Sequence, residues 1–146
     1  MPVVLMELPV EQYWESWDQF IRRQLLDRGF VSREDLSFYR IVHSAEEARD
    51  WIMFYYSTYH SMRQVGDKLV IRLEKELTDD SIKRLNEAFR GLLDSGRITK
   101  TSALPEEEDE PNLACKPRIV FPYNRRNAGR LNELVLMINS LGRSAE

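Results

Sequence analysis

Apolar positions along the chain change their spacing several times, and each change marks an element. Val3-Val4-Leu5-Met6 is a continuous apolar run that reaches a turn at Pro9. Such a run before an amphipathic helix predicts a strand covered on both faces, as in a parallel sheet. Beyond Pro9 apolar residues recur at Tyr13, Trp14, Trp17, Phe20, Ile21 and Leu25. That is one stripe of a helix, and Gly29 suits its left-handed end. Ser32-Arg33-Glu34-Asp35 reads as a capped turn, and residues 38–42 as extended. Ser44 and Glu47 then have the spacing of a capping box. The face that follows, Ala48, Trp51, Ile52, Tyr55, Tyr59 and Met62, predicts a helix ending near residues 60–62.

The second half repeats these signals in a different order. Lys68-Leu69-Val70-Ile71-Arg72-Leu73 predicts a strand introduced by Gly66-Asp67. Thr78 caps a helix with the face Ile82, Leu85, Phe89 and Leu92, closed by Gly96. Residues 97–103 read as a strand. Residues 118–123 read as another, which Pro122 places near an edge or bulge. Leu131, Leu134, Val135, Ile138 and Leu141 mark a last helix, with Gly142 as its stop. The order β-α-β-β-α over residues 66–142 predicts a two-layer α+β sandwich. Three regions follow: residues 1–42 with one parallel-type strand and no evident neighbour for it, a connecting helix over 43–65, and the sandwich over 66–146.

Composition narrows the partners. The 146 residues suit one domain, and 42% hydrophobic residues suffice for a core. A net charge of -3 argues against bulk nucleic-acid binding, which needs clustered Lys and Arg. The first apolar run is too short to cross a bilayer and lacks the pattern of a secretory signal. The single Cys115 rules out an internal disulfide, excludes cysteine-rich zinc sites and fits a reducing, cytoplasmic setting. His43 and His60 lie far apart, so no metal or cofactor is expected. The acidic run Glu106-Glu107-Glu108-Asp109-Glu110 reads as a solvated loop.

Several stretches carry a family likeness. Pro2-Val3-Val4-Leu5, then Tyr13-Trp14, Phe20 and Gly29-Phe30-Val31, resemble the last strand and helix of the nucleotide-binding domain in the LONELY GUY (LOG) family. Gln12 stands where that family has Gly. These proteins, long labelled possible lysine decarboxylases, are Rossmann-like phosphoribohydrolases that cleave the N-glycosidic bond of nucleoside 5′-monophosphates. Tyr59-His60-Ser61-Met62-Arg63 with Val65-Gly66-Asp67, Leu104-Pro105-Glu106-Glu107 and Tyr123-Asn124-Arg125-Arg126 resemble the C-terminal extension of a longer bacterial branch. The resemblance implies an α/β to α+β chain: the last strand–helix unit of a Rossmann-like domain, then the sandwich. It implies that Val3–Met6 belongs to a sheet whose other strands lie elsewhere. The family's Pro-Gly-Gly-x-Gly-Thr phosphate loop and its Glu do not occur, and the chain has no Gly-Gly pair. No catalytic residue carries over, so the expected role is regulatory or oligomerising.

Four groups of residues are candidates for binding. His60, with Ser61 and Arg63, can act as a base beside a phosphate, or His60 and Arg63 can simply meet the negative end of a helix. Tyr13, Trp14 and Trp17 can stack on a nucleotide base, pack in a core, or face a partner subunit, with self-association through the Trp14/Trp17 helix. Arg118, Arg125, Arg126 and Arg130, with Lys116, can bind an anion at the start of the last helix, which Asn124 or Asn127 would cap. That cluster is also the basis of an alternative reading, a stand-alone, non-enzymatic module for an anionic ligand. The same cations can instead pair with the acidic run.

Overall fold

The computed structural model describes residues 1–93, 95–123 and 125–143. Helices and two sheets make it an α+β structure. The first sheet has two strands, β1 (Val3–Met6) and β2 (Tyr39–Val42), paired in parallel with Val3 opposite Tyr39 and Met6 opposite Val42. The initial apolar run therefore has a neighbour in its own chain, contrary to the expectation of a lone strand. A parallel pair needs a crossover. Here it is α1 (Tyr13–Phe20), which widens into π-type turns over Ile21–Leu26. Gly29 follows at φ 74°, as its position predicted. Among the described residues no strand pairs with the other edge of β1.

The Ser44 half of the expected capping box forms, while Glu47 bonds the residue before the cap. The Ser44 Oγ accepts the Glu47 N–H at 3.1 Å, and Glu47 reaches back to the His43 N–H at 2.9 Å. The helix it opens, α2 (Ala45–Tyr55), is shorter than predicted. Tyr59–Val65 is not helix but strand β3, joined to β4 (Lys68–Leu73) by a tight turn with Gly66 at φ 59°. Tyr59 and Met62 fit a helical stripe, but the two-residue hairpin Gly66-Asp67 outcompetes it. The stretch 43–65 is thus half helix and half strand, and its strand belongs to the second sheet.

That sheet runs β3-β4-β6-β5, all antiparallel, with β5 (Thr99–Thr101) and β6 (Arg118–Pro122). Strand β5 is shorter than the predicted 97–103. Pro122 lies in an inner strand rather than at an edge. It is tolerated there because β5 reaches only Val120. Helix α3 (Asp79–Ala88) starts where Thr78 accepts the Ser81 N–H at 3.1 Å. Helix α4 (Ala128–Arg143) starts where Asn127 accepts the Arg130 N–H at 2.9 Å. Asn124, the other proposed cap, lies outside the described residues. Leu69, Ile71, Leu73, Ile119 and Phe121 form one core with Leu85, Leu134, Val135 and Ile138 from the helices.

Gly142 does not stop α4, which runs on to Arg143. A Cβ at Gly142 would overlap the Thr58 side chain, so this glycine lets the helix approach the α2–β3 connection. Gly129 plays the same part at the other end, where a Cβ would lie 2.7 Å from the Glu34 carbonyl carbon. Gly142→Ala is expected to cost about 1–3 kcal/mol through overpacking, measured as a fall in the urea midpoint at constant m-value. A neutral or stabilising result would contradict the close approach.

Candidate functional site

The acidic run is solvated only in part: Glu106, Glu108 and Asp109 are exposed, but Glu107 is buried. The run covers the face of the second sheet turned away from the core. Register places Arg72 of β4 directly opposite Arg118 of β6, and like charges in that position repel. Glu107 enters between them: Oε1 accepts from Arg72 Nη2 at 2.7 Å, and Oε2 pairs with Arg118 Nη1 at 2.8 Å and accepts the Leu104 N–H at 3.0 Å. All three residues are at least 96% buried, with exposures of 2% for Arg72, 4% for Glu107 and 2% for Arg118. Burial alone would raise the Glu107 pKa, but the Leu104 N–H and the two guanidiniums outweigh it and hold the carboxyl below its usual range. Further out, Glu110 accepts from Arg72 at 2.6 Å and Arg63 at 2.8 Å, which lowers its pKa to about 2. Asp109 completes the outer end on Arg63.

This network takes two residues out of the predicted binding groups. Arg118 is buried, with its remaining N–H groups on the carbonyls of Leu113, Ala114 and Lys116. Arg63 is committed to Asp109 and Glu110. The predicted arginine cluster is not assembled. Arg130 pairs with Glu133, donates to the Ala88 carbonyl and lies 4.4 Å over the Phe89 ring, while Lys116 pairs with Glu74 at 2.6 Å. Arg125 and Arg126 are exposed, Arg125 at φ 62°. With Arg118 withdrawn into the sheet, the four arginines do not form one anion site.

His60 lies on β3 at a register shift, not at a helix end. Its Nδ1 is 2.9 Å from Ser61 Oγ, and Nε2 is 3.9 Å from Glu74, which Lys116 holds. A carboxylate thus stands near it, which sequence spacing had not revealed. A shallow groove of 560 Å³ beside α3, lined by Ile82, Asn86, Arg90, Leu93 and Lys100, contains none of the predicted site residues.

The aromatic group is brought together. Tyr13, Trp14, Trp17 and Tyr39 form an edge-to-face chain with centroid separations of 4.9, 6.0 and 5.2 Å. It is not core: Tyr13 is 69% exposed, and no residue of α1 is buried. The Tyr39 hydroxyl donates to Asp18, and burial together with that bond pushes its pKa up to about 12. Tyr39 is therefore a neutral donor here and not a proton-transfer group at ordinary pH.

One residue that sequence reasoning missed sits beside these rings. Glu7 follows β1, extends the ladder with its N–H on the Val42 carbonyl at 3.1 Å, and is 3% exposed. Its Oε2 accepts the Trp14 N–H at 2.7 Å, whereas Oε1 has no hydrogen-bond partner. Ligand atoms of Glu7, Glu15 and His43 lie within 4.8 Å of one another, the one such three-residue group among the described residues. The available signal was an acid and an imidazole each placed just after a parallel strand. No helix among the described residues is long and apolar enough to cross a membrane. Compared with known proteins, the chain matches no family model, no curated protein and no solved structure.

Proposed function

We propose that the chain is the regulatory and oligomerising portion of a LOG-like nucleoside 5′-monophosphate phosphoribohydrolase. In this reading β1, α1 and β2 are the terminal part of a larger Rossmann-like sheet, and the chain by itself is not catalytic. One observation carries the proposal. Every large hydrophobic residue that is exposed among the described residues lies at or before Tyr56, in the part of the chain that carries the parallel pair, whose β1 edge is unpaired. Parallel sheets are normally covered on both faces, and a concentrated apolar surface marks an interaction site. The absence of a Gly-rich phosphate loop supports the non-catalytic role.

Sedimentation equilibrium is expected to show self-association, and Trp17→Lys combined with Phe20→Lys to return the chain to a monomer. Phe20 is 56% exposed and Trp17 36%, and a circular-dichroism spectrum and melt matching the wild type's establish that the double variant is folded. A wild-type monomer at about 100 μM, near the weak end of specific association, would contradict an oligomerising role. Incubation with AMP or CMP is expected to release no free base. Steady release would overturn the assignment of catalysis to residues elsewhere.

A further inference from the structure

We propose that Glu7, Glu15 and His43 bind a divalent transition-metal ion of the zinc class. The three residues converge at the carboxyl end of the parallel pair: Glu7 follows β1, His43 follows β2, and Glu15 stands in the first turn of α1. In open α/β sheets this end of the strands is where ligands bind.

The buried carboxylate is the independent sign of a ligand. Glu7 is 3% exposed, and its Oε1 has no donor. A carboxylate oxygen removed from water without a partner is costly, and a bound cation removes that cost. The Trp14 N–H on Oε2 fixes the carboxylate plane, as an orienting contact around a metal ligand does. One imidazole and two carboxylates form the mixed nitrogen–oxygen set that zinc accepts. Tetrahedral zinc with ligand bonds of about 2.0–2.2 Å places its ligand atoms about 3.4 Å apart. His43 Nε2 and Glu15 Oε1 are already 3.7 Å apart, and all three ligand atoms lie within 4.8 Å. Closing the remainder requires only side-chain rotation at Glu15 and His43, whose side chains are 50% and 40% exposed. Three protein ligands leave one position for water or a ligand's oxygen, the arrangement of an open zinc site.

The test is calorimetric titration of Zn²⁺ into the metal-stripped chain, with a thermal melt in parallel. One ion per chain is expected, with a rise in Tm as zinc exceeds its Kd. His43→Ala and Glu15→Gln should each weaken binding about tenfold or more, since even orienting residues cost that much. Both side chains are at the surface, and His43→Ala keeps the backbone N–H that Glu47 accepts. His60→Ala should leave the titration unchanged. Absence of binding at millimolar Zn²⁺, unchanged affinity in His43→Ala, or loss in His60→Ala would each overturn the site. None of these outcomes depends on the oligomeric state or on nucleotide hydrolysis.

Discussion

Glu107→Gln is expected to destabilise the chain by about 3–5 kcal/mol, because it removes the carboxylate that two buried guanidiniums share. Arg72 and Arg118 would remain face to face across β4 and β6, each 2% exposed. Arg72 would keep Glu110, and Arg118 its backbone carbonyls, but neither arrangement supplies a charge between them. Chemical denaturation should show a lower midpoint, and loss of less than about 1 kcal/mol, the range of an exposed pair, would refute the buried triad. The sign of the acid dependence follows from the same geometry. Glu107 and Glu110 have lower pKa values folded than the ordinary 4.5, and Glu110 falls to about 2. Their stabilisation is complete above the unfolded pKa and lost as pH falls through the folded one. Tm should therefore drop steeply between about pH 4.5 and pH 2, and less steeply in Glu107→Gln.

Asn139→Leu is the second substitution with a large expected effect. Asn139 is fully buried in α4. Its Oδ1 accepts the N–H groups of Thr58 and Tyr59 at 2.9 and 2.8 Å, and its Nδ2 donates to the Tyr55 carbonyl at 2.6 Å. Those three backbone groups lie where α2 ends and β3 begins, so no ladder or helix bond replaces the amide. Leucine has the same branched outline, though its methyls are bulkier, and it strands two donors and one acceptor. At about 1–3 kcal/mol for each orphaned group, with partial relaxation, the loss is about 3–5 kcal/mol. Hydrogen exchange should show the Thr58 and Tyr59 amides losing protection first. Retained protection at both would contradict the bridging role.

Local chemistry was legible wherever a short signal had no competitor. The caps at Ser44 and Thr78, the Gly29 turn and the face of α4 lie where residue type and spacing put them, whereas α3 ends at Ala88, so that Phe89 and Leu92 reach the core from its cap and a following 3-10 turn. The apolar residues of Tyr59–Val65 are spaced by three, which imitates a helix; strand pairing across Gly66-Asp67, with a register shift after Tyr59, overrides that spacing. Pro122 and Gly142 were read as punctuation but serve packing and register, which depend on distant neighbours. The acidic run misled for the same reason: only the register that sets Arg72 beside Arg118 explains why Glu107 is inside. Glu7 escaped notice because its partners come from a helix and a second strand that are brought together only by the fold.

The shared carboxylate also bears on how the chain avoids folding wrongly. Strands β4 and β6 are apolar enough to slide past each other by two residues and still bury their inner faces. A slip that set Arg118 opposite Val70 would bring Lys116, another cation, opposite Arg72. Glu107 would then reach one guanidinium and leave the other enclosed without a counter-charge. A misaligned β4–β6 pairing is thus penalised by several kcal/mol, and the arginine pair acts as a checkpoint on strand alignment.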